Sequence, residues 1–289
     1  MNFDTSINNK ATAIAYSIDS YFDQNYLEPD KSPIDNYFEK TDDLNKLFNY
    51  YDITIAATPP MSSFPNQTLH NLILLGYVSA VESYFRELIR KLIILDDHSS
   101  KHCEKHHLKY GAALLHTKEL MPEALLEGVS FASNANINSS LKDFLDIKNI
   151  FNQPNIKDAT DKFQDICQLR HILVHRYGKL GIENLIKLRE HLIEDCLEKP
   201  LELNGAKLYQ INVICNNLIL EVNQYIFNEV LKRTAQPSSG IWLWDYRKDK
   251  KKFLEYFSMF NSTSNPPPMS AATPFDVYKD LRNYGRSLI

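Results

Sequence analysis

With 289 residues the chain can form one large domain or two small ones, and 36 acidic against 32 basic side chains leave a formal charge of −4. Overall charge therefore cannot hold a polyanion, so any nucleic-acid contact has to be a local basic patch. A hydrophobic content of 44%, only 8 glycines and long segments of 3.6-residue periodicity predict a globular, mainly helical protein.

In chain order, residues 5–27 and 41–51 read as helices rich in Tyr and Phe, separated by the Glu-Pro-Asp-Lys-Ser-Pro turn at 28–33. Residues 58–67, with three prolines, read as a loop. Over 69–95 two apolar rows run along one long helix: Ile73, Tyr77, Ala80, Tyr84, Leu88 and Leu95, then Leu75, Val78, Phe85, Ile89 and Ile93. A helix apolar on two sides is expected at the centre of a bundle. Glu82 is embedded in the second row and is a candidate anion for a buried cation; the competing reading is that it borders the polar face of Ser79, Ser83 and Arg86.

Residues 98–120 are expected to continue as helix. His98, His102, Cys103, His106 and His107 have no Cys pair or carboxylate-rich partner at a recognisable spacing, so they read as a solvated helix end, with no metal assigned. Further helices are expected over 139–152, 158–177, 183–199 and 209–233. Between them, Asn204-Gly205 flanked by short alternating runs at 201–209 predicts a small β-hairpin. After residue 234 come the aromatics Trp242, Trp244 and Tyr246, a basic run at 247–252, a polar, proline-containing linker at 261–268 and a last helix near 275–287. The aromatics and lysines suit base stacking, but a tail that wraps the core or binds a partner is the favoured reading. These shifts divide the chain into an N-terminal helical segment (1–65), a helical domain (66–234) and a C-terminal extension (235–289).

Cys103, Cys167, Cys196 and Cys215 are widely spaced, as in reduced core positions, and the first residues lack a secretory pattern. A cytoplasmic location with no membrane contact is expected.

The chemistry concentrates in residues 170–177, Arg-His-Ile-Leu-Val-His-Arg-Tyr. At about 100° per residue, Phe163, Ile166, Cys167, Leu173, Val174 and Tyr177 share one face, with Arg170 among them. Gln164, Gln168, His171 and His175 form a polar stripe beside it, and Gly178 is the expected helix stop. A guanidinium on an apolar face is costly unless it meets an anion or opens onto a wet cleft. Histidine exchanges protons near neutral pH and arginine grips phosphate, a combination suited to RNA cleavage without a cofactor. Arg170, Arg176 and Lys179 supply a local basic patch. The competing reading is a core histidine pair with a structural Arg ion pair.

The run from Arg170 to His175 resembles the Arg-(polar)-x3-His signature of HEPN domains, with His171 at the polar position, and 69–95 resembles their long first core helix. The likeness covers about 66–234. It implies an all-α, HEPN-like bundle, here carrying the small β-hairpin and the C-terminal extension. It also implies a metal-independent endoribonuclease that leaves a 2′,3′-cyclic phosphate, acting in antiviral defence or as a toxin. Arg170 and His175 would be its catalytic pair, with His171 in support, in a cleft shared by a homodimer. The longer Arg-x4-His-x-Tyr run resembles toxins of HEPN/MNT pairs, whose antitoxin adenylylates the tyrosine; that nominates Tyr177 and an antitoxin or defence-system partner. The alternative is a non-catalytic HEPN-like module that binds RNA or protein.

Overall fold

The computed structural model describes residues 13–50, 66–188, 196–264 and 272–288. The chain forms two compact units, 1–30 and 31–289. In the first, the described part of the helix expected over 5–27 holds only a 3-10 turn, Ile18–Tyr21. The Ser20 hydroxyl donates to the Ser17 carbonyl and Asp23 accepts the Asn25 N–H, local bonds that compete with helical pairing.

The second unit is an all-α bundle; among the described residues it has eleven helices and no strand. These are α1 (Pro33–Tyr50), α2 (Asn66–Leu95), α3 (Asp97–Cys103), α4 (Tyr110–Leu115), α5 (Met121–Leu125), α6 (Asn134–Leu145), α7 (Pro154–Arg176), α8 (Ile182–Lys187), α9 (Gly205–Thr234), α10 (Tyr246–Phe260) and α11 (Pro274–Arg286). None is long and apolar enough to cross a membrane, among the described residues.

The hairpin expected over 201–209 is absent, and the reason is capping. Asn204 takes an extended conformation and its side chain accepts the Lys207 N–H at 3.0 Å, so it begins a helix instead of filling a turn. Gly205 is the first residue of α9. The β-like pairing found nearby is one isolated bridge between Lys179 and Pro200.

α2 is central, as its double apolar face requires. It packs against α1, α3, α5, α6, α7 and α9, burying Ile73, Leu74, Tyr77, Val81, Tyr84, Phe85, Leu88 and Leu92. Buried phenols end on asparagines: Tyr37 donates to Asn216 at 2.7 Å and Tyr84 to Asn223 at 3.0 Å, so each ring is buried without an orphaned hydroxyl. The helix expected over 98–120 breaks after Cys103, because Glu104 to His107 offer no apolar stripe. His98, His102 and His106 instead reach α6 and its end, lying 3.2 Å from the Asp146 carboxylate, 3.2 Å from the Lys142 carbonyl and 2.8 Å from the Asp143 carbonyl.

The C-terminal aromatics build a layer against α9. Trp242 is 7% exposed and its indole N–H donates to Thr234 at 3.1 Å. Trp244 packs on Gly285, where a Cβ would lie 2.2 Å from the indole, so only glycine admits the ring. Asp249, inside the basic run, is buried and accepts from the Tyr278 hydroxyl at 2.6 Å and the Leu243 N–H at 3.1 Å, joining α10 to α11.

Candidate functional site

α7 begins with Pro154 at its first turn and buries Ile156, Ala159, Phe163, Ile166, Cys167 and Leu173. Of the apolar face read from the sequence, Val174 and Tyr177 are exposed, because the helix outruns the core in its last turn. The expected stop at Gly178 is shared: Tyr177 already adopts the left-handed conformation, with φ 51°, and Gly178 follows with φ 92°. The Gly178 N–H then returns to the Ile172 carbonyl at 3.2 Å, closing the helix.

The polar stripe divides into two parts. Gln164 accepts the Asn134 N–H at 3.0 Å and Gln168 accepts from the Asn184 amide at 3.2 Å, so these two fasten α7 to α6 and α8. His171 and His175 lie beyond them, with ring centroids 4.3 Å apart and planes tilted by 47°. His171 is half-buried and His175 exposed. Burial lowers the pKa of His171 below the ordinary 6.5, and the neighbouring His175, Lys187 and Arg170 push it the same way against Glu183. The lowering favours the neutral imidazole, the form that can accept a proton.

Arg170 is half-buried on the adjoining face, and no hydrogen bond or ion pair joins it to any described residue. Glu82 does not form that pair. Its carboxylate accepts the Ser130 hydroxyl and the Phe131 N–H, both at 3.0 Å. One turn on, Arg86 holds the same loop through Glu123 and the carbonyls of Leu126 and Val129. Glu82 and Arg170 nevertheless act on a common neighbour: burial raises the Cys167 thiol pKa, Cys215 and Glu82 add to the rise, and Arg170 opposes it.

The other cations part company. Arg176 donates to both oxygens of Glu198, at 2.7 and 2.9 Å, and lies across Gly181, where a Cβ would meet its guanidinium at 2.2 Å. It is a clamp. Tyr177 is 86% exposed. In the basic run on α10, Arg247, Lys248, Lys250 and Lys251 are exposed, while Lys252 lies 3.4 Å from Glu255 and over the Tyr256 ring.

The structure therefore sets His171 against His175, with Arg170 close enough to act on His171, leaves Tyr177 in solvent and engages Glu82 elsewhere. Glu183 and Lys187 on α8, which also act on His171, escaped the sequence reading. Their i,i+4 spacing was visible inside the helix expected over 183–199, of which α8 covers the first part and residues 189–195 lie outside the described residues. What no spacing reveals is that this helix turns back onto α7. No family model matches the sequence, and no curated protein or solved structure matches it.

Proposed function

We propose that the chain is a metal-independent endoribonuclease of HEPN type, with Arg170, His171 and His175 as its site. One observation carries this reading: Arg170 keeps a half-buried guanidinium with no described carboxylate on it, beside two imidazoles in contact. Such an arginine is costly to retain unless an anion completes it, and a phosphodiester is an anion that histidines can process.

In the proposed reaction an imidazole takes the proton of a ribose 2′-hydroxyl as that oxygen bonds to the adjacent phosphorus. The bond from phosphorus to the 5′-oxygen breaks, and that oxygen receives a proton from a second imidazole. The products are a 2′,3′-cyclic phosphate and a 5′-hydroxyl. Arg170 stabilises the charge gathered on the non-bridging oxygens. Arg170 and His175 lie about 140° apart around an ideal helix, which favours a cleft completed by a second copy across a two-fold axis. The exposure of Tyr177 leaves its hydroxyl accessible to a modifying antitoxin.

Purified protein incubated with RNA and chelator should generate cyclic-phosphate ends, and Arg170→Ala and His175→Ala should abolish them with fold retained. Cleavage by either variant at the wild-type rate refutes the mechanism. A second reading, a non-catalytic binding module, draws on the apolar residues exposed around the site, Val174, Tyr177, Ile182 and Ile186, a rim suited to a protein partner.

A further inference from the structure

The cations of this chain are unevenly spread. Five of the seven residues from Tyr246 to Lys252 are Arg or Lys, in a chain whose formal charge is −4. The structure places them in the first two turns of α10, behind the cap that Asp245 makes by accepting the Arg247 N–H at 3.0 Å. Arg247, Lys248, Lys250 and Lys251 are exposed, and Lys252 is half-exposed over the Tyr256 ring. Asp249, the acid in that stretch, is turned inward, where it is 4% exposed and bound by Tyr278 and the Leu243 N–H.

This placement is unfavourable for the helix itself. Helical spacing makes Arg247 a neighbour of Lys250 and Lys251, and Lys248 a neighbour of Lys251 and Lys252, and like charges at that spacing destabilise a helix. The first turn is also the positive end of the helix dipole, where cations are disfavoured and anions bind. An outer face needs polar side chains, but mixed signs serve it better, as on α7, where Lys157 meets Asp161 at 2.8 Å and Lys162 meets Asp158 at 2.6 Å. The underside of α10, meanwhile, is firmly held. Asp249, between two of the lysines, is bonded to α11, and Phe253 packs on Tyr278 with ring centroids 5.4 Å apart. The cationic row therefore stands on a fixed frame.

We infer that the outer face of α10 is a docking surface for the phosphate backbone of RNA, formed by Arg247, Lys248, Lys250 and Lys251. Among the described residues, which include all of α10, no large apolar side chain of that helix is fully exposed, because Phe253, Tyr256, Met259 and Phe260 are buried in the protein. A membrane-surface helix inserts an apolar face and a protein interface has an apolar centre, whereas phosphate contacts require only cations. The identity of the polyanion as RNA rests on the nuclease reading; the anion-binding face itself does not depend on it. The surface lies on a different helix from Arg170, His171 and His175, so it contributes affinity, without reading bases and without a part in the proton transfers.

The probe is a mixed-sequence single-stranded 2′-O-methyl RNA, which lacks the hydroxyl that the proposed cleavage uses, so that binding to the full chain is followed by fluorescence anisotropy without turnover. Lys250→Gln/Lys251→Gln should bind about tenfold more weakly at low salt, and the slope of log affinity against log salt should fall by about 1.4, at about 0.7 for each phosphate contact removed. Lys250→Arg/Lys251→Arg should bind as wild type does. Lys157→Gln/Lys162→Gln changes the net charge equally on α7 and should also bind normally. On cleavable RNA the α10 variant should raise KM with little change in kcat. Its melting temperature should be no lower than that of wild type; a lower one would show that the lysines serve the fold and would overturn the inference. Equal affinity in wild type and Lys250→Gln/Lys251→Gln overturns it, as does an equal loss in the α7 control, which marks a response to net charge alone. Phosphatidylserine vesicles bound through these lysines, with RNA affinity unchanged in the variant, would assign the face to lipid and overturn it too. If Lys250→Gln/Lys251→Gln weakens binding but Arg170→Ala and His175→Ala leave RNA cleavage intact, the docking surface stands and the nuclease reading falls. If those two variants abolish cleavage while the lysine variant changes neither affinity nor KM, the nuclease reading stands and α10 is excluded as a docking surface.

Discussion

Arg176 and Glu198 form a two-pronged ion pair, with the guanidinium 2.7 and 2.9 Å from the two carboxylate oxygens, while Arg170, less than two turns earlier on the same helix, has no such partner among the described residues. The contrast separates a cation committed to a carboxylate from one that no described carboxylate engages. Both Arg176 and Glu198 are partly exposed, so the pair should stabilise the fold by no more than about 1 kcal/mol. Glu198→Ala should therefore barely change the unfolding midpoint, yet accelerate amide hydrogen exchange in residues 178–187, the segment that the pair ties to α7. Uniform exchange there in both proteins would show that the clamp does not order α8.

Tyr177 occupies a left-handed conformation that side chains other than glycine and asparagine adopt at a cost, and its ring is 86% exposed. Replacing it by glycine should relieve that cost and remove little packing. Tyr177→Gly is expected to raise stability by about 0.5–1 kcal/mol, measurable by urea denaturation. A loss of stability would reveal packing of the ring that its exposure does not suggest.

Arg233 of α9 is buried against the base of α3, where its guanidinium lies 2.6 Å from Asp96, 2.7 Å from the Ser99 hydroxyl and 2.7 Å from the Leu145 carbonyl. Asp96 is 1% exposed and also caps α3 through the Ser99 N–H at 2.7 Å. Asp96→Ala leaves a buried cation without its counter-charge and a helix without its cap, and should cost about 3–5 kcal/mol. Calorimetry should show this loss, with a smaller one in the double variant Asp96→Ala/Arg233→Met, because the second change removes the stranded charge.

Asp35 provides the clearest link to pH. Burial alone would raise its pKa, but the Ser264 N–H, the Thr263 and Ser262 hydroxyls and the Thr263 N–H all donate to it and bring it down to about 2. A folded pKa below the unfolded 3.8 means that the carboxylate stabilises the fold fully above about pH 4 and that this contribution is lost as the pH falls through about 2. The size is on the order of 1–2 kcal/mol after solvent screening. Asp35→Asn should be less stable than wild type at pH 7, and the gap should narrow between pH 4 and pH 2. A constant gap across that range would mean that the carboxylate charge is not what holds 262–264 to α1.

Helices α2, α7 and α9 were legible because each has enough apolar positions at helical spacing to announce a buried face, and the junction of Arg170 with two histidines was visible as a polar interruption of one such face. The hairpin expected at 201–209 failed because Asn-Gly is ambiguous: the same asparagine that favours a tight turn also caps a helix, and thirty residues of helical periodicity downstream outweigh two alternating ones. The tail after residue 234 also exceeded its sequence signal. Its tryptophans and Asp249 are internal fasteners, and the lysines of α10 stand on the outer face of that helix.

Sequence by itself determined the helical class, the centrality of α2 and the chemical character of residues 170–175, since each depends on side-chain type repeated along a single helix. Tertiary structure alone decided that Glu82 binds a loop and not Arg170, that Glu198 occupies Arg176 while no described residue occupies Arg170, and that Asn184 fastens α8 to Gln168 of α7. The reason is physical: periodicity tells which face of a helix is buried, but the partner of a charge is set by which elements the whole core presses together.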